Sequence, residues 1–191
     1  MRTPLLAALF GAIALPAYAE PTTWQFTYTG FFSTVDISYR DETTHTEAFL
    51  PDYTIYGSFT GSDADADGIV ALSELTGFSL RGEDYFDCMD NPSPYRRCSL
   101  STFSYAEDGT LAFSAGVSGN DEYYSGWSSA VTSGLQASSY SYGQFSEERY
   151  RYYWTDQTRF DIVPAPVPEP GGAAMAAAGV LLLAWRRRRQ S

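Results

Sequence analysis

The stretch SDADADGIVALSEL places Asp63, Asp65, Asp67 and Glu74 within twelve residues. Four carboxylates held this close repel one another, and gathering their oxygens around a hard dication removes that cost. Folding of this corner is therefore expected to couple to binding of such an ion.

The loop resembles the calcium loop of EF-hands and dockerins. That resemblance implies side-chain ligands from Asp63, Asp65 and Asp67, a sharp turn at Gly68, the carbonyl of Ile69 and a bidentate Glu74. Val70 takes the place of the usual apolar plug. Ala71 departs from the pattern, because its side chain cannot hold a bound water. Upstream, YTIYGSFTG reads as a strand and not as an entering helix, so a paired sensor that opens a groove is not expected. The expectation is a single structural ion, followed by at most a short helix over ALSEL.

Other chemistry is sparse. The chain has one histidine, His45, in DETTHTEAF, so any Ser-His-acid or Cys-His scheme must use it. A histidine among threonines and acids reads as a surface residue. Zinc sites need several His or Cys, which are lacking. A glycosidase needs only two carboxylates across a groove, and acids are plentiful. Flat rings at Tyr140, Tyr142, Tyr150, Tyr152, Tyr153 and Trp154 also suit stacking on sugars, although period-two aromatics ordinarily build a core.

The elements that position these groups read as strands. Between residues 20 and 163 stand 28 aromatic residues amid many Thr and Ser, with apolar and polar side chains alternating. Trp24, Phe26 and Tyr28 share one face of TTWQFTYT. Val35, Ile37 and Tyr39 repeat the pattern, as do Tyr53, Ile55 and Phe59, then Leu111, Phe113, Ala115 and Val117. In ERYRYYW, Tyr150, Tyr152 and Trp154 lie opposite Arg149 and Arg151, and Phe160 and Ile162 continue the series. Asp108-Gly109 marks a tight hairpin. About eight to ten antiparallel strands result, an all-β fold arranged as a sandwich or a meandering barrel.

Over residues 20–163 there are 22 Asp and Glu against seven Arg, and the chain has no Lys. A surface with net charge near −15 excludes nucleic acid and disfavours anionic lipid, since both need cations.

The ends read as delivery segments. Arg2, an apolar run over residues 5–15 and Ala17-Tyr18-Ala19 make a signal peptide over residues 1–19, with cleavage between Ala19 and Glu20 by signal peptidase. In an exported chain, Cys88 and Cys98 in CMDNPSPYRRC read as a disulfide. After the domain, residues 164–170 carry proline at every second position, an extended spacer. Residues 171–185 make about 22 Å of apolar helix against roughly 30 Å of hydrocarbon. Snorkelling by Arg186, Arg187, Arg188 and Arg189 lessens the shortfall, making a transmembrane helix with residues 186–191 as a cytoplasmic tail.

Val167-Pro168-Glu169-Pro170, an apolar helix and a terminal Arg cluster together resemble the PEP-CTERM sorting signal of exported bacterial proteins. The resemblance covers the last 25 or so residues. It implies that an exosortase processes the tail, so that the protein is anchored in the inner membrane first and then reaches the cell surface or the extracellular space. It supplies no reaction for the mature domain. The expected role is non-catalytic, structural or adhesive in the extracellular matrix; the rivals are a module that binds extracellular polysaccharide and a glycoside hydrolase.

Overall fold

The alternation of ring and hydroxyl side chains becomes an all-β, antiparallel structure. The computed structural model describes residues 20–165 apart from Pro94. Its strands, in chain order, are β1 (Thr22–Tyr39), β2 (Glu42–Gly61), β3 (Ile69–Ala71), β4 (Leu75–Leu80), β5 (Glu83–Asp84), β6 (Arg97–Ala106), β7 (Leu111–Asn120), β8 (Gly126–Thr132), β9 (Gln136–Tyr142), β10 (Ser146–Tyr153) and β11 (Arg159–Pro164). One helix, α1 (Tyr85–Asp90), and a single 3₁₀ turn (Leu72–Glu74) complete the described elements.

All eleven strands belong to one sheet. Its order is β3-β6-β7-β8-β9-β10-β1-β2-β4-β5, with β11 pairing β1. Most neighbours in the sheet are also consecutive in the chain, as short connections require. The sheet curls into a half-barrel and brings distant strands face to face: Phe59 of β2 meets Phe103 of β6 at 4.9 Å between ring centroids, and Trp24 of β1 meets Tyr105 of β6 at 5.3 Å. The section is therefore sandwich-like, although a single continuous sheet supplies both layers.

The long strand β1 organises the curl. Its first half pairs β11 from Trp24 to Thr29, and its second half pairs β10 from Phe32 to Tyr39. The exchange falls at Gly30, where the register with β2 slips between Thr29 and Phe31. Gly30 has φ +87°, a backbone state that side chains resist, and its carbonyl accepts from Thr158 Oγ1 at 2.6 Å. The bulge bends β1 so that one strand serves two neighbours.

The concave side holds the core, where Phe26, Phe31, Ile55, Phe59 and Val131 are almost wholly buried. Burying side chains of this size stabilises by roughly 1.5–3 kcal/mol each. Facing rings supply much of the contact, as in the stack of Tyr53 on Tyr152.

One local reading is corrected, and one element is new. Pro164, assigned above to the spacer, is the last residue of β11 and pairs with Trp24. Proline is tolerated there because a strand at its end need not donate. The helix α1 was not foreseen: six residues are too few to show a helical period. It forms because the Asp84 carboxylate accepts from the N–H groups of Phe86 and Asp87, both at 3.0 Å.

Candidate functional site

The acidic loop connects β2 to β3. Three carboxylates converge: oxygens of Asp63, Asp65 and Asp67 all lie within 4.8 Å of one another. Backbone geometry sets this up. Ala66 and Gly68 both have positive φ, +60° and +84°, which folds the loop back on itself. Asp63 accepts from Asp67 N–H at 3.1 Å and from Gly68 N–H at 2.9 Å, and Asp67 accepts from Ile69 N–H at 2.8 Å. Past the turn, β3 pairs with β6 through Ile69 and Ala106, and Glu107 N–H donates to the Gly68 carbonyl at 3.2 Å. The loop is thereby fastened to the β6–β7 hairpin.

Glu74 stands apart from the converging three. Its two carboxylate oxygens accept from Ala64 N–H at 2.7 Å and Ala71 N–H at 2.9 Å, so it ties the beginning of the loop to its end. The N–H groups of Ala71 and Ala64 hold its pKa below the usual carboxylate range. Asp65 shows the opposite balance. The Asp67 N–H lowers its pKa, but the charges of Asp67, Glu74 and Asp63, with partial desolvation, outweigh that bond and leave it raised. Like charges oppose one another here, and oxygen ligands gathered this way suit a hard cation. Asp63, Asp65 and Asp67 would hold it; Ile69, the expected carbonyl ligand, is the first residue of β3, and Glu74 ties the ends of the loop together.

Cys88 and Cys98 form a disulfide, with Cα atoms 5.7 Å apart. It joins α1 to β6. An ion pair between Arg96 and Glu83 links the same region to β5.

His45 lies on β2 opposite Asp36 of β1. Its Nδ1 is 2.5 Å from an Asp36 oxygen and its Nε2 is 3.1 Å from Glu47. The other Asp36 oxygen accepts from Arg151 of β10 at 3.0 Å. Hydrogen bonds to Asp36 and then Glu47 raise the histidine pKa, and the bond to His45 leads in lowering that of Asp36. Both ring nitrogens face carboxylates, and the side chain is 54% exposed, so this is a surface charge network and not a base aimed at a serine.

The six aromatic candidates divide. Tyr152 stacks on Tyr53 at 4.2 Å, and Trp154 packs edgewise on Phe31 at 4.8 Å; both belong to the core margin. Tyr140 and Tyr142 neighbour each other on the outer side of β9, 5.8 Å apart. Tyr150 donates to Glu148 at 3.1 Å, and Tyr153 pairs in register with Gln136. Trp127, 43% exposed at the margin of a groove that Tyr140 also lines, escaped the sequence reading. Its neighbours in GWSSAVT are small, so nothing in the local pattern separates an exposed ring from a core one.

Ala19 and the signal peptide lie outside the described residues, as do Val167, Pro168, Glu169, Pro170, the apolar segment 171–185, and Arg186, Arg187, Arg188 and Arg189. Among the described residues no helix is long and apolar enough to cross a membrane. Neither a protein-family model, nor a curated protein, nor a solved structure matches the chain.

Proposed function

We propose that the chain is an exported, non-catalytic protein of the cell surface or extracellular matrix, delivered through a signal peptide and a PEP-CTERM tail, with a calcium-stabilised, disulfide-linked β-domain in a structural or adhesive role. One observation carries the delivery part. The two ends of the domain leave it together: Trp24 pairs with Pro164, and Ala165 N–H donates to the Thr23 carbonyl at 2.7 Å. The first and last described residues of the domain therefore lie side by side at one edge, a geometry that suits a domain hung by its C-terminal end from a tail not needed for its core.

The composition agrees with this reading. An acidic surface without lysine, a disulfide and an acidic cation loop fit an oxidising, calcium-bearing exterior. Signal peptidase, exosortase and the inner membrane are the partners during processing. Replacing Pro168 and Pro170 by Ala in the native host tests the sorting step. The variant is expected to accumulate in the inner-membrane fraction; unchanged delivery to the surface would overturn the assignment.

A further inference from the structure

Strand register aligns side chains that the sequence scatters. Arg97, Ser118, Ser128, Tyr140, Arg149 and Asp36 are successive cross-strand partners on β6, β7, β8, β9, β10 and β1. Directly opposed residues share a face, so these six form one row across the sheet. The adjoining row runs Ser99, Gly116, Ala130, Ser138 and Arg151. Ala115, Val131 and Ala137 alternate with these residues and are buried in the core, which places both rows on the outer side. The small side chains of β7 and β8 form a low floor, and Tyr140 rises beside it. Grooves lie on both flanks of Tyr140, one of about 590 Å³ that includes Asn120 and Tyr142 and one of about 330 Å³ that includes Ser138 and Arg149.

Two of the three arginines in these rows are held by carboxylates. Arg149 pairs with Glu147 at 2.5 Å, and Arg151 with Asp36 at 3.0 Å. The Arg149 guanidinium lies over the Tyr140 ring, 5.0 Å from its centre. Among the described residues Arg97 is the one arginine of these rows without an ion-pair partner, too little positive charge to hold a polyanion, which matches an uncharged occupant. A protein partner fits poorly, because interfaces bury large apolar anchors and are depleted in serine, whereas this floor is mostly serine. A polymer of hydroxyls with flat apolar faces fits: rings take the sugar faces, while hydroxyl, amide and guanidinium groups exchange hydrogen bonds with the sugar oxygens. Neither groove is lined by a carboxylate, so the acid pair of a glycosidase has no place there.

We propose that the outer face of β7–β10 binds an uncharged polysaccharide, with Tyr140 and Tyr142 stacking on sugar rings and Arg97, Asn120, Ser128 and Ser138 bonding to its hydroxyls. The proposal rests on the adhesive reading above only for where such polymers are met; the binding itself is an in vitro property. The test is affinity electrophoresis of the full-length chain in a non-ionic detergent, in gels containing dextran, mixed-linkage β-glucan, glucomannan or the anionic polymer alginate, or no polymer.

Retardation in at least one neutral gel is expected. Tyr140→Ala and Ser128→Trp, the second filling the floor, should each weaken it about tenfold or more, near 1.4 kcal/mol. Each variant is first shown to keep the cooperative melt, and Ser118→Trp replaces one that does not. Mobility unchanged in every neutral gel, retardation in alginate alone, or retardation indifferent to these substitutions would overturn the proposal. Self-retardation without polymer would assign the face to a second copy instead. Failure here leaves the sorting assignment standing, since that is read from delivery in the host.

Discussion

Phe26 of β1 and Phe113 of β7 touch, with ring centroids 5.4 Å apart, although β10, β9 and β8 separate their strands in the sheet. Only a strongly curled sheet permits that contact, and both rings are almost fully buried. Phe113→Ala is expected to destabilise by about 3–5 kcal/mol, with a cavity left at the fold of the sheet. The same seam explains Gly57, where an added Cβ would lie 2.5 Å from the Phe26 ring and from the Ser79 carbonyl. Gly57→Ala should therefore cost about 1–3 kcal/mol despite the smallness of the change. Urea unfolding followed by Trp fluorescence measures both.

The Cys88–Cys98 bond closes a short loop, at a sequence separation of 10. The double substitution to Ser should lower stability by roughly 2–3 kcal/mol in the chain-entropy picture. Its effect should match that of a reductant on the wild type, and a reductant should leave the double variant unchanged. Paired melts with and without reductant provide the comparison.

His45 is the chain's sole histidine, so its ring protons can be followed by NMR without ambiguity. Asp36 and Glu47 place its folded pKa above the unfolded value near 6.5. The interaction is then fully present below that pH and is lost as pH rises through the raised folded value. Asp36 works in the other direction: its depressed pKa contributes above about pH 3.9 and is lost as pH falls through the folded value. Exposure keeps the effect on stability small. Asp36→Asn should bring the histidine midpoint down, and Glu47→Gln should lower it by less.

Calcium should raise the melting temperature at neutral pH, because an ion among Asp63, Asp65 and Asp67 relieves the repulsion that lifts the Asp65 pKa. The raised pKa means that the ion-free loop opposes folding as pH climbs past the unfolded value. Asp63→Ala with Glu74→Ala should abolish the calcium increment, which should also fade below about pH 4 as the carboxylates protonate. Differential scanning calorimetry with calcium and with a chelator tests this; a melt indifferent to chelator would remove the ion from the account.

Strands β1, β2, β7, β10 and β11 were legible because their apolar residues alternate at period two, whereas β3 and β5, of three and two residues, are too short to show a period. The β6–β7 hairpin was legible from Asp108-Gly109, and Gly109 there has φ +86°. The β1–β2 turn was not legible. Arg40 adopts φ +54° beside Asp41, a residue pair that carries no turn signature. Curl and partner order were also hidden, since they depend on long-range ring contacts and on the bulge at Gly30. Alternation separates two faces without saying which is inner: in β9 the inner face is marked by Ala137, and the conspicuous Tyr140 and Tyr142 point outward. In the acidic loop, the residue types foretold three converging aspartates but not that Glu74 would be tied to backbone N–H groups.

The central claim, delivery by detachable ends, is tested most directly by the intact mass of the protein recovered from the surface or medium of its native host. The account predicts a chain that begins at Glu20 and ends within the tail near Pro168. Surface material that still carried residues 1–19, or that uniformly retained Arg186, would contradict it.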